Sequence, residues 1–483
     1  MKRCTAAFAA VVLLGAAPAP TLEAELARHI GVLASDDFGG RLPGTDGEAK
    51  TLRYLARELF GAGLVSGTNE PANPWFAPVT IIAREPAGGS AQFSRRGRSI
   101  YVPGSDVLVL TSGERAVAQS APLLFVGAGA AIPPRGELAG RAVLLLDGGR
   151  QDSARQNALL AGGAAAVITV LDGARTLDSV RARRQRSGYA LTGGDLGGDL
   201  EAFMTPTALD RALAGARLST AQLAARAAAA DFVPMPLDLS VALEASSRET
   251  RISTHNLIAR IPGRHPDAGA VMLMAHWDGF GRCGKPGDAD AICNGAVDNA
   301  SGVAVMTEIA RRLAAGPRLE RDVYFVATTG EEMGLLGAQA LLENPPLPLD
   351  RIVAALNIDS VAVAPAGTPL TIVGKGLTRL DPVIAQVARE QKRKLVDSPL
   401  AETFLKRQDG WALLQRDVPA VMVSSAYADP AAMQHFIDTR YHRAGDEATN
   451  LVLGGAAGDV TFQVALVRRL ADPRRVPLES VRR

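Results

Sequence analysis

Short glycine-flanked blocks carry the residues able to do chemistry: Met274-Ala-His-Trp-Asp-Gly, Gly295-Ala-Val-Asp-Asn-Ala-Ser-Gly, Thr329-Gly-Glu-Glu-Met-Gly, Asn357-Ile-Asp-Ser and Tyr441-His-Arg-Ala-Gly-Asp. Together they supply His276, Asp298, Glu332, Asp359 and His442, a nitrogen and oxygen donor set suited to two zinc ions. His276 and Asp278 are two apart at a predicted strand end, so their side chains leave one face. The carboxylate can then fix which ring nitrogen meets a metal. Asp298 stands at the start of a predicted helix, where an aspartate taken alone is ordinarily an N-cap. Glu331 and Glu332 are adjacent: solvated if on a surface, but in a cleft one could ligate while the other takes a proton from water. Asp359 ends an apolar strand, where a buried carboxylate needs a cation, an arginine or several hydrogen bonds. His442 lies in a polar loop and by itself reads as an exposed histidine. The remaining histidines, His29, His255, His265 and His435, stand outside these blocks and read as structural or surface residues.

These blocks fall where predicted strands give way to loops. From about residue 250, strands are expected at Val271-Met-Leu-Met-Ala, Asp322 to Thr328, Ile352 to Ile358, Pro369 to Val373 and Ala420 to Ser424. Helices are expected over Gly302 to Ala314, Leu335 to Leu342, Asp381 to Gln391 and Leu451 to Leu470. Apolar strands without alternation, separated by helices, predict an α/β fold with a mostly parallel mixed sheet sandwiched by helices. Such sheets bind ligands beyond the carboxyl ends of their strands. Nearer the N-terminus, helices are expected over Leu22 to Leu33 and Glu48 to Leu64, and a strand at Val79-Thr-Ile-Ile-Ala. Between about 100 and 245 the texture changes. Strands at Ala142 to Leu146 and Ala164 to Val170 flank a helix at Ser153 to Ala161, and Leu209 to Ala230 reads as helical. That segment holds no acid, base or metal cluster and reads as an inserted module.

The length of 483 residues points to two domains. A hydrophobic content of 47%, a charged content of 21% and a net charge of +2 describe an ordinary globular chain and give no support to nucleic-acid binding. Met-Lys-Arg, an apolar run from Ala6 to Ala17 and a small-residue segment have the order of a secretory signal; the run is too short to span a bilayer stably. A periplasmic or extracellular location is therefore expected. Cys4 would leave with that signal, and Cys283 and Cys293 then suggest a disulfide pinning the excursion between His276 and Asp298, with two free thiols as the alternative. Gly279-Phe-Gly-Arg-Cys-Gly matches a dinucleotide fingerprint only by letter, since Pro286 and Gly287 follow where a helix should begin.

The order and spacing of these blocks resemble the zinc aminopeptidases of peptidase family M28, over roughly residues 22–80 and 250–475. Leu33-Ala-Ser-Asp-Asp-Phe-Gly-Gly-Arg and Gly44-Thr-Asp-Gly-Glu are similar to that family's N-terminal block. The inserted segment resembles a protease-associated (PA) domain through Phe125-Val-Gly-Ala-Gly and its β-α-β unit. The implied organisation is a signal over 1–20, a catalytic domain over 21–100 and 246–483, and a PA-like insert over 101–245. The resemblance implies that Asp298 bridges two zinc ions, with His276 and Asp359 completing one site and Glu332 and His442 the other. It implies that Asp278 orients His276 and that Glu331 is the general base for a metal-activated water. The expected activity is an exopeptidase acting on peptides with a free N-terminus. Carboxypeptidase or dipeptidase action, glutaminyl cyclisation with a single zinc, or an inactive receptor-like binding module are the alternatives. The family's usual Ser-Asp-His block is replaced by Gln408-Asp-Gly-Trp, a departure expected to bear on pocket shape more than on metal binding.

Overall fold

The computed structural model describes residues 20–481 apart from 70, 71, 73, 129–131, 148–152, 174, 185–187, 194–198, 285 and 286. The expected signal therefore lies, but for its last residue, outside the described residues. The chain divides into two compact units: one of Met1–Ala77, Asn256–Thr329 and Leu341–Arg483, the other of Pro78–His255 with Gly330–Ala340.

In the first unit the strands Thr371–Val373, Ala420–Ser424, Ile352–Asn357, Ala270–His276 and Asp322–Thr328 lie side by side in that order. The four from Ala420–Ser424 to Asp322–Thr328 run parallel. Thr371–Val373 is antiparallel at one side, and at the other the end of the strand Met235–Ile261 pairs Leu257 with Ala327. All residues of the four parallel strands are buried, which is why their sequences run apolar without alternation. The helices Leu22–Leu33, Gly302–Ala314 and Gly454–Leu470 contribute to the same core through Leu26, Ile30, Val305, Ile309, Phe462 and Leu466.

Register sets where the chemistry stands. His276 pairs with Thr328, Met274 with Asn357, and Asn357 with Met422, so the carboxyl ends of these strands share one edge. Two boundaries differ from expectation. The second helix is Asp46–Gly61, stopping before Gly63 turns left-handed (φ 88°), and the last begins at Gly454 because a 3-10 turn occupies Ala448–Asn450. Between Tyr427 and Tyr441 the chain forms a helix, Pro430–Thr439, whose N-cap Asp429 accepts from Ala432 N–H.

In the second unit Arg115–Phe125, Ala142–Leu146, Ala166–Val170 and Leu200–Met204 form a parallel run, with Val107–Thr111 antiparallel at its edge. The expected β-α-β unit is present, its helix spanning Ser153–Ala161. The alanine-rich stretch is two helices rather than one, Pro206–Leu213 and Thr220–Ala227. Gly215 (φ 82°) and Arg217 (φ 55°) break it, and Ser219 with Gln222 forms a capping box that starts the second helix. Among the described residues no helix is long and apolar enough to cross a membrane.

Candidate metal centre

Four of the expected ligands converge within the first unit. His276 Nε2 lies 3.2 Å from Asp298 Oδ1 and 3.6 Å from Asp359 Oδ1, and His442 Nε2 lies 3.3 Å from Asp298 Oδ2. The two oxygens of Asp298 thus face one imidazole each. Burial would raise its carboxyl, but hydrogen bonding to His276 and His442 holds it well below the usual carboxylate range. His276 Nδ1 is 3.2 Å from the backbone oxygen of Asp278 and 3.7 Å from its Oδ1. Asp278 therefore meets the imidazole through its carbonyl first. With Nδ1–H donating there, Nε2 is left as the metal-facing atom.

Asp298 is not a side-chain N-cap. The helix Gly302–Ala314 is preceded by a wide turn, Ala296–Ser301, in which Asp298 (φ −109°, ψ 96°) and Asn299 leave helical geometry, and the Asp298–Asn299 peptide is cis. The turn begins at Gly295, whose φ of 56° and 2.2 Å approach of an added Cβ to Asp298 O leave room for glycine alone. Asp446 accepts from Val297 N–H at 3.1 Å and Asp298 N–H at 3.0 Å. Because Asp446 is four residues beyond His442, it ties the loop of one ligand to the turn of another. Burial pushes its carboxyl up to about 7, against the charge-favouring bonds from Asp298 and Val297. Asn299 donates to Ile358 O at 3.0 Å and accepts from Gly302 and Ser360 N–H, binding the turn to the strand end that carries Asp359. Tyr427, fully buried, donates to Asp359 O at 3.1 Å.

A second anchor comes from the N-terminal block. Arg41 is 1% exposed, and its guanidinium donates to the carbonyls of Leu33, Trp277, Asn294 and Gly295. It fixes the chain just after His276 and just before Asp298 at once. Arg41→Met is expected to lower the unfolding free energy by about 3 kcal/mol or more, since it strands several buried carbonyls. Urea denaturation of the chelator-treated protein checks this; a loss below about 1 kcal/mol would remove Arg41 from that role. Between these two points Gly281 and Arg282 pair with Ile292 and Cys293, and the Cys283–Cys293 disulfide closes the hairpin as expected, with Cα atoms 5.7 Å apart.

Asp409, in the block that departs from Ser-Asp-His, is also buried, and Thr328 Oγ1 donates to its Oδ2. Burial pushes its carboxyl up to about 7, the charge of His276 opposing and those of Asp278 and Asp359 reinforcing. The block therefore contributes to the electrostatics of the ligand cluster. Glu331, buried, and Glu332, half-buried, stand three and four residues beyond Thr328, the partner of His276 in register. Their segment, Gly330–Ala340, belongs to the second unit.

A separate group of donors, Glu25, His29 and Glu308, occurs on the helices of the first unit. His29 is buried there, with Nδ1 2.7 Å from Tyr54 Oη and Nε2 3.2 Å from Glu308, while Arg311 takes the same carboxylate at 2.7 Å. Cations already engage this carboxylate, so the group is an ion-pair network.

The cluster around Asp298 fits a metal. Two imidazole nitrogens and two carboxylates are the donors that zinc accepts, and their mutual approach needs positive charge to offset the clustering of Asp298, Asp359 and Asp278.

Residues 256–465 match the model of peptidase family M28. Over 129 residues the chain is 36% identical to the alkaline phosphatase isozyme conversion protein of Escherichia coli (strain K12), a match covering 24% of this chain and 36% of that protein. Over 135 residues it is 32% identical to a probable zinc metalloprotease of Pyrenophora tritici-repentis (strain Pt-1C-BFP), covering 25% and 30% respectively. The chain spans about a third of the length of these curated relatives. Among solved structures it resembles an aminopeptidase from Aneurinibacillus sp. strain AM-1, with a TM-score of 0.56 and 16% identity over 94% of this chain and 95% of that one. That likeness speaks for the fold, and the ligand blocks lie inside the matched region. The blocks that carry His276, Asp298, Glu332, Asp359 and His442 thus all lie in the stretch of the chain that is similar to peptidase family M28.

Proposed function

We propose that this protein is a di-zinc aminopeptidase, exported from the cytoplasm, that hydrolyses the first peptide bond of substrates with a free N-terminus. The observation that carries the reading is Asp298, whose two carboxylate oxygens each face a different imidazole, the arrangement a bridging ligand requires. His276 and Asp359 would hold one zinc, His442 and Glu332 the other. Bound zinc would polarise the peptide carbonyl and make a water acidic enough to lose a proton near neutral pH. Glu331 takes that proton and returns it to the leaving amine. Asp278 keeps His276 Nδ1 protonated so that Nε2 stays available. The disulfide supports an oxidising compartment. The segment over 101–245 is read as a PA-like module without catalytic groups.

A panel of aminoacyl substrates and the same peptides with blocked N-termini, assayed with and without a chelator, tests this. Free N-termini alone should be cleaved, and chelation should abolish cleavage. Cleavage of blocked peptides at the C-terminal bond would make the enzyme a carboxypeptidase, and turnover untouched by chelation would end the zinc reading.

A further inference from the structure

We propose that Phe280 and Tyr441 are positioning residues for His442, forming a two-ring slot that aims its imidazole at Asp298, and that the disulfide hairpin holds one wall of that slot. This rests on the reading of His442 as a zinc ligand.

The two histidines of the cluster are held differently. The side chain of His276 is 2% exposed and sits at a strand end, whereas that of His442 is 35% exposed and sits in a loop with a left-handed backbone, φ 58°. A half-open imidazole on a left-handed residue is held in one orientation only if something restrains it. Tyr441 stacks on it, ring centroids 3.7 Å apart and planes 28° apart, and Phe280 lies 4.4 Å away at 59°. Tyr441 is itself fixed: Arg407 donates to its hydroxyl at 3.1 Å and lies 5.4 Å over its ring, and Phe436 meets it edge-on at 5.7 Å. Phe280 has its own anchors on either side. Gly279 N–H donates to Arg41 O, and Gly281 pairs with Cys293, the residue bonded to Cys283. Contacts of this kind around a ligand govern metal affinity by about 10–100-fold. Opening the hairpin releases Phe280 and leaves Tyr441 as the sole wall.

Zinc titration of the chelator-treated protein by calorimetry tests the slot, together with the proton resonance of His442 Cε1–H in the zinc-free protein, assigned through His442→Gln. In the wild type two ions should bind, and the resonance should lie upfield because of ring currents from both neighbours. Phe280→Ala and Phe280→Leu should weaken one binding step by about tenfold or more, leave the other within about threefold, and move the resonance downfield. Phe280→Tyr should restore both readouts. Cys283→Ser combined with Cys293→Ser should change the same step in the same direction. Wild-type affinity for both ions in Phe280→Ala and Phe280→Leu, or a resonance that Phe280→Ala does not move, would overturn the proposal. A wild type that binds one zinc would refute the two-metal reading, and the resonance would still decide the slot.

Discussion

Asp298→Ala is expected to bind zinc at neither site with useful affinity, and to lose activity by at least about a thousandfold. The reason is geometric. One carboxylate serves both His276 and His442, 3.2 and 3.3 Å away through different oxygens, so its removal takes an oxygen donor from each proposed site together. A substitution at Asp359 would strip one site alone. The fold should survive, because the turn is held by the backbone N–H groups of Val297 and Asp298 on Asp446 and by Asn299 on Ile358, none of which uses the Asp298 side chain. A thermal scan separates these effects. Zinc at a thousand times its dissociation constant stabilises a protein by about 4 kcal/mol, which should appear as a raised melting temperature in the wild type and vanish in Asp298→Ala. Two ions bound by the variant with undiminished affinity would refute the bridging role.

The strand framework and part of the centre were legible in the sequence for a physical reason. A strand buried on both faces must run apolar, so a histidine or carboxylate at its end marks a place where the core stops and a ligand can begin. His276 and Asp359 stand out for that reason. Asp298 was harder: next to a helix start it satisfies the rule for a cap, and only its distance to two imidazoles shows that its oxygens are engaged elsewhere. The residues that hold the ligands left less trace. Arg41 looks like a surface arginine until its guanidinium is found among four carbonyls, and Asp446 follows His442 by four residues without any local pattern revealing its partners 148 and 149 residues away. Phe280 gave no signal, since ring stacking across loops distant in sequence has no periodicity to detect. In the second unit, alanine-rich composition masked a break that depends on the left-handed backbones of Gly215 and Arg217.

Glu331→Gln should keep zinc yet lower kcat by about a hundredfold to ten-thousandfold, the range assigned to general acid–base catalysis, with KM changed little. The two adjacent glutamates differ in what neutralising them would do. A ligand turned into an amide loses its charge toward the metal, so Glu332→Gln should release an ion. A base turned into an amide loses only the ability to accept a proton. The backbone around Glu331 is fixed independently of its side chain: Gly330 is left-handed at φ 59°, and Gly334 and Leu335 donate their N–H groups to Glu331 O at 2.9 Å. The isosteric change should therefore leave the turn in place, and any fall in rate reports the missing base. Metal analysis and steady-state kinetics on both variants decide the assignment. Zinc lost from Glu331→Gln and kept in Glu332→Gln would exchange the two roles. Undiminished turnover in Glu331→Gln would place the proton acceptor elsewhere, with Asp409, buried and raised to about 7, as the next carboxylate to test.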